Sequence, residues 1–135
     1  MTGRAASRPL LPNTGDQCRL AELHARHARE LDIGDADAWA ECFTPDGTLR
    51  TSAGRTVKGT AEPRSFASSW WDSRTGSTRH ITWHRTYEVD EASIRGLCCA
   101  ALLVTRENGV TVEFTAMYVD TFVQRQGTGC SRHVR

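Results

Sequence analysis

Residues 20–47 read LAELHARHARELDIGDADAWAECFTPDG, and this stretch decides the fold. Leu20, Leu23, His24, His27 and Leu31 recur at i, i+3, i+4 and i+7, the spacing of a helix with one buried stripe. Asp32 falls off the centre of that stripe, on the flank made by Ala21, Ala25 and Ala28. Small side chains leave room around its carboxylate, which suits the edge of a pocket. Gly34 gives a sharp turn, and Asp35 supplies an N-cap for a short second helix carrying Trp39 and Phe43. The run Phe43-Thr44-Pro45-Asp46-Gly47 stops that helix and turns the chain into extended structure.

Upstream, residues 1–13 are rich in Arg, Ser, Pro and Gly and are expected to be a disordered tail. Residues 14–135 are then a single domain. Thr14 with Gln17 makes a capping-box pattern for the first helix. Downstream, residues 48–51 and 55–58 form a short hairpin around Ala53-Gly54. Thr60 caps a third helix that carries Pro63 in its first turn and Phe66, Ala67 and Trp70 on one face. Strands follow at residues 78–89, 94–105 and 110–123, joined by Asp90-Glu91-Ala92-Ser93 and Glu107-Asn108-Gly109, with a short last strand at 130–134. The strand at 94–105 is apolar on both parities and is expected to be central and covered on both sides. Three helices followed by long antiparallel strands give an α+β fold.

Composition narrows the function. With 17 basic and 16 acidic residues among 135, the net charge of +1 offers no field for nucleic acid or an anionic membrane. No apolar run approaches the ~20 residues a spanning helix needs. The first fifteen residues lack the apolar core and cleavage site of a signal peptide, and their Arg and Ser lack the amphipathic repeat of a transit peptide. The five cysteines are odd in number, with no CxxC, and are expected to be reduced thiols in a cytoplasmic protein. There is no phosphate loop, nucleophile elbow or dinucleotide fingerprint, so no cofactor is expected. His24 and His27 share a helix face at a spacing that suits a metal, but no third ligand is evident; they are expected to pack or line a cavity, with no metal bound.

A helix ending in LDIGDADAW followed by FTPDGTLR resembles the start of the nuclear-transport-factor-2-like (NTF2-like) superfamily, in its SnoaL-like and scytalone-dehydratase-like branch. The resemblance runs over roughly residues 16–135 and implies an NTF2-like cone: three N-terminal helices held in a strongly curved sheet, with a pocket at the open end. It implies a small-molecule cyclase, dehydratase or isomerase. A sheet of this length needs its second face covered too, so a homodimer or higher homo-oligomer is expected.

The same resemblance implies the candidate catalytic residues. Asp32 corresponds to the pocket Asp of the dehydratases; read alone, it is equally a helix-end acid that the helix dipole mildly disfavours. His80, in RHITWHRTYE, aligns with their catalytic histidine, and a carboxylate-oriented imidazole is a suitable acid or base near neutral pH. Simple alternation argues otherwise. It makes Ile81, Trp83, Tyr87 and Val89 the apolar face and leaves His80, Thr82, His84 and Thr86 to solvent, unless a bulge or a polar-lined pocket intervenes. Tyr118 falls where the pattern has a polar group on the substrate, and Val112, Phe114 and Ala116 share its parity, continued by Asp120 and Phe122. Expected substrate-binding residues are Trp39, Phe43, Phe66, Trp70, His84, Phe114 and Asp120, whose Trp and Phe rings suit a flat or polycyclic polyketide- or terpenoid-like molecule.

Two departures from the dehydratase pattern count against scytalone dehydration itself. The second active-site histidine falls near Val104, and a further tyrosine falls near Ala53. The expected function is acid–base chemistry in secondary metabolism, such as antibiotic biosynthesis: cyclisation, dehydration, isomerisation or epoxide opening. The alternative is a non-catalytic ligand-binding or structural subunit.

Overall fold

The structure, a computed structural model, describes residues 9–125 and 127–134, with side chains through Val123. The chain runs α1 (Thr14–Ile33), α2 (Ala36–Ala40), β1 (Thr48–Arg50), β2 (Thr56–Lys58), α3 (Ala61–Ser73), β3 (Ser77–Asp90), β4 (Ser93–Arg106), β5 (Gly109–Arg125) and β6 (Gly127–Val134). The strands form one sheet in the order β2-β1-β6-β5-β4-β3, antiparallel except for β1 beside β6. The sheet curves around the helices, which is the α+β cone expected.

The stripe on α1 behaves as its spacing demands: Leu20, Leu23, His24, His27 and Leu31 are all buried. They meet Trp39, Phe43, Leu49, Val57, Ala67 and Phe122 in the main core. The caps differ in detail from expectation. Asn13, not Thr14, caps α1, its side chain accepting from Asp16 N–H at 2.9 Å. Asp35 caps α2 through Ala38 N–H at 2.9 Å. Thr60 occupies the N-cap of α3 but makes no side-chain cap bond, because its backbone is already helical. Gly34 ends α1 with φ of 82°, and its N–H reaches the carbonyls of Glu30 and Leu31. A Cβ built there would lie 2.5 Å from the Trp71 ring, so both backbone and packing require glycine.

Part of the expected tail, residues 1–8, lies outside the described residues, but residues 9–13 are tied down. Val89 N–H donates to Leu10 carbonyl at 2.8 Å, and Gln17 Nε2 donates to Pro12 carbonyl at 2.8 Å. β3 is the edge strand, so its outward backbone groups need such partners.

Two bulges set which side chains face inward. The β3–β4 register shifts between Trp83 and Thr86, where His84 has φ of 51°. The β4–β5 register shifts at Leu102/Leu103: Leu102 pairs with Phe114, but Leu103 pairs with Val112. Neighbours on β4 face opposite ways, so Val112 turns outward and is 60% exposed, against its expected place beside Phe114. β4 is covered within the chain on its inner face, and of its outward residues only Ala101 is buried. Cys98, Ala100, Leu102 and Val104 are buried, while Leu97 is exposed on the outer face with Ile81, Trp83 and Met117.

Candidate active site

α1 carries Asp32 to the inner face of β3, and the two elements lock at one point. His80 Nδ1 lies 2.7 Å from Asp32 Oδ1, and His80 backbone N–H donates to Asp32 Oδ2 at 2.7 Å. Both side chains are buried, 8% and 6% exposed. An ionised carboxylate can only accept, so in a pair with ionised Asp32 the donor is Nδ1, and Nε2 is the ring nitrogen left to face other groups. The flank argument from the sequence holds physically. Ala25 and Ala28 are small enough to let β3 approach the helix at Asp32, and they line an outer groove of about 480 Å³ with Asp32, His80 and Arg79.

His80 also lines an interior cavity of about 290 Å³. Trp39, Phe66, Trp70, Phe114 and Tyr118 form much of its wall. The Trp70 ring centroid is 5.3 Å from that of His80, and the Phe114 centroid 6.3 Å. Asp32 itself does not line this cavity; it stands behind His80, between α1 and β3. The β3 bulge reconciles the two sequence readings. Thr78, His80 and Thr82 face inward before it and Tyr87 and Val89 after it, so no single alternation describes the strand.

Three expected substrate-binding residues lie elsewhere. His84 is exposed in the bulge, beside Trp83. Phe43 is buried behind the wall, its ring 4.8 Å from Trp39 and 5.5 Å from His27. Asp120 is on the inner face but one further step of two residues along β5 from Tyr118, outside the cavity lining; it is 1% exposed. The sequence reading had His27 as a packed or cavity-lining residue without naming it in the site, and it did not place Thr51, Ser52 or Thr115 there; all four line the cavity. His27 was signalled by its position on the buried stripe, one turn before Leu31. Thr51 and Ser52 sit where the β1–β2 hairpin reaches the mouth, which no local pattern reveals.

Residues 15–128 match the SnoaL-like domain family. The chain belongs to this family. No curated protein matches the sequence. Among solved structures, this SnoaL-like chain is similar to Aln2 from a Streptomyces species, with 24% identity, a TM-score of 0.82 and 93% of each chain covered. It is also similar to an NTF2-like protein with a cystatin-like fold from Novosphingobium aromaticivorans, with 20% identity, a TM-score of 0.81, and 89% and 80% of the two chains covered. A third is a Catenulispora acidiphila protein solved in complex with S-DNPA, with 20% identity, a TM-score of 0.79, and 90% and 95% covered. At these identities the structures establish the NTF2-like fold, which the SnoaL-like chain shares. No helix among the described residues is long and apolar enough to cross a membrane.

Proposed function

We propose that the protein is an acid–base enzyme of secondary metabolism. Its substrate is a small, largely apolar, polyketide- or terpenoid-like molecule, which it cyclises, dehydrates, isomerises or opens at an epoxide. One observation carries this reading: a carboxylate-oriented imidazole, His80 on Asp32, lines the same cavity as the phenol of Tyr118. In this reading His80 Nε2 takes a proton from the substrate or gives one to it. Asp32 keeps the tautomer and stabilises the imidazolium that forms. Tyr118 polarises a substrate oxygen. The protein's part in each of these reactions is to move a proton or donate a hydrogen bond, and none changes the substrate's net oxidation state, so the reading calls for no redox cofactor. The aromatic wall suits a flat ring system, and the similarity to a protein solved with S-DNPA supports small-molecule binding.

The rival reading, a ligand carrier or structural subunit, draws support from the absence of a second histidine near Val104. His27 weakens it by bringing a second imidazole to the cavity from α1. The outer sheet face supports a homodimer: Trp83, Cys99 and Met117 lie in one register row and Ile81 and Ala101 in the next, with Trp83 37% and Met117 47% exposed.

The test is a comparison of metabolites from strains carrying the intact gene, a deletion, or His80→Ala. The deletion and the His80→Ala strain should accumulate the same compound. A His80→Ala strain indistinguishable from the parent would overturn the assignment.

A further inference from the structure

Beyond the cavity, at the deep end of the cone, three side chains from three elements converge. His24 comes from α1, Cys98 from β4 and Asp120 from β5, and their ligand atoms all lie within 4.8 Å of one another. They are 3%, 2% and 1% exposed. Among the described residues this is the one group of three such side chains whose ligand atoms meet. Two aromatic rings pack against it: the Phe122 ring stands edge-on to His24 at 5.5 Å and the Tyr87 ring is 6.0 Å away.

We propose that His24, Cys98 and Asp120 form a binding site for a zinc-type divalent cation. Charge is the first argument. Bound to an ion as a thiolate, a carboxylate and a neutral imidazole, the three carry two negative charges, which a divalent cation cancels inside a buried site. Donor type is the second. A mixed sulfur, nitrogen and oxygen set suits zinc or cobalt, whereas magnesium and calcium take oxygen ligands. Geometry is the third. Bonds of ~2.0–2.3 Å around a tetrahedral ion separate its ligand atoms by roughly 3.3–3.8 Å, so atoms now within 4.8 Å of one another close by about 1.5 Å at most on binding. Access is the fourth: His24 also lines the outer groove between α1 and β3, which gives an ion a route inward. Binding would displace the Cys98 thiol proton to solvent. Three protein ligands leave the fourth position of the ion to a solvent molecule. The ion would tie α1 to β4 and β5, next to Tyr118, the register partner of Cys98. This site is separate from the proton chemistry of His80, so either assignment can fail without the other.

The sequence concealed the site because His24 is 74 residues from Cys98 and 96 from Asp120 (98 − 24 and 120 − 24), on no recognised metal-binding spacing.

The test is titration of chelator-treated, full-length protein with cobalt(II). The expected result is uptake of one equivalent, with a thiolate-to-cobalt charge-transfer band and the intense visible bands of a tetrahedral ion. Cys98→Ser should lose the charge-transfer band, while a Cys18→Ser, Cys130→Ser double variant keeps it. Asp120→Asn, nearly isosteric, should weaken cobalt binding at least tenfold. Zinc should raise the melting temperature of the unsubstituted protein and leave that of Asp120→Asn nearly unchanged. Only the weak spectrum of octahedral cobalt in the unsubstituted protein, or a band that survives Cys98→Ser in folded protein, would overturn the proposal.

Discussion

Asp32 holds His80 twice, its two carboxylate oxygens each 2.7 Å from a different nitrogen of that residue. One contact fixes the ring and the other fixes the strand that carries it. Replacing the carboxylate by an amide keeps the shape but presents an N–H where the ring needs an acceptor. Asp32→Asn and His80→Ala should therefore each lower turnover by about 10²–10⁴-fold, the usual range for general acid–base groups. The double variant should lose little more, because groups acting as a unit are not additive. Turnover of the purified, folded variants checks this. Near-normal rates in both single variants would move the chemistry to another cavity group, His27 first.

Tyr118 is buried and lines the cavity with His80. In the proposed reading, removing its hydroxyl deletes one hydrogen bond to the substrate and leaves the ring in place. Tyr118→Phe should lower turnover by about tenfold, the equivalent of roughly 1.4 kcal/mol. A loss as large as that of His80→Ala would make Tyr118 a proton donor in its own right.

The periodic elements were legible in the sequence, and the places where periodicity breaks were not. The α1 stripe, the Gly34 turn and the long strands follow from local spacing and turn chemistry. The inward side of β3 does not, since it changes at a bulge whose positive-φ residue is a histidine rather than a glycine. Val112 failed for the same reason: the shift at Leu102/Leu103 inverts its facing relative to Phe114. Asp32 and His80 were nominated by resemblance, and their spatial relation rests on a contact across 48 residues that no local pattern encodes.

Gly34 joins the site to the fold, two residues after Asp32 and against Trp71. Alanine there meets a left-handed backbone and a ring atom at 2.5 Å, a combined cost of about 2–4 kcal/mol. Gly34→Ala should lower the melting temperature by roughly 5–15 °C. Gly54 has the same φ of 82° with nothing within 4 Å of a built Cβ, so Gly54→Ala isolates the backbone part and should cost about 1 kcal/mol. Equal melting temperatures for the two variants would mean that the Trp71 contact contributes nothing.

The outer sheet face makes the last prediction. A register row of Trp83, Cys99 and Met117, flanked by Ile81 and Leu97, leaves large apolar side chains in water when the chain is alone. Burying an exposed Trp and Met against a second copy is favourable by ~25 cal/mol per Å² before association costs, and a two-fold dimer doubles every contact. Light scattering should therefore give twice the 15.0 kDa chain mass. Trp83→Glu with Met117→Glu would bring four carboxylates into that interface, and the mass should fall to that of one chain. Both positions are already partly in water, so each substitution should change the fold's own stability by no more than about 0.5 kcal/mol. An unsubstituted protein that is monomeric at micromolar concentration would show that this face has no second copy to cover it.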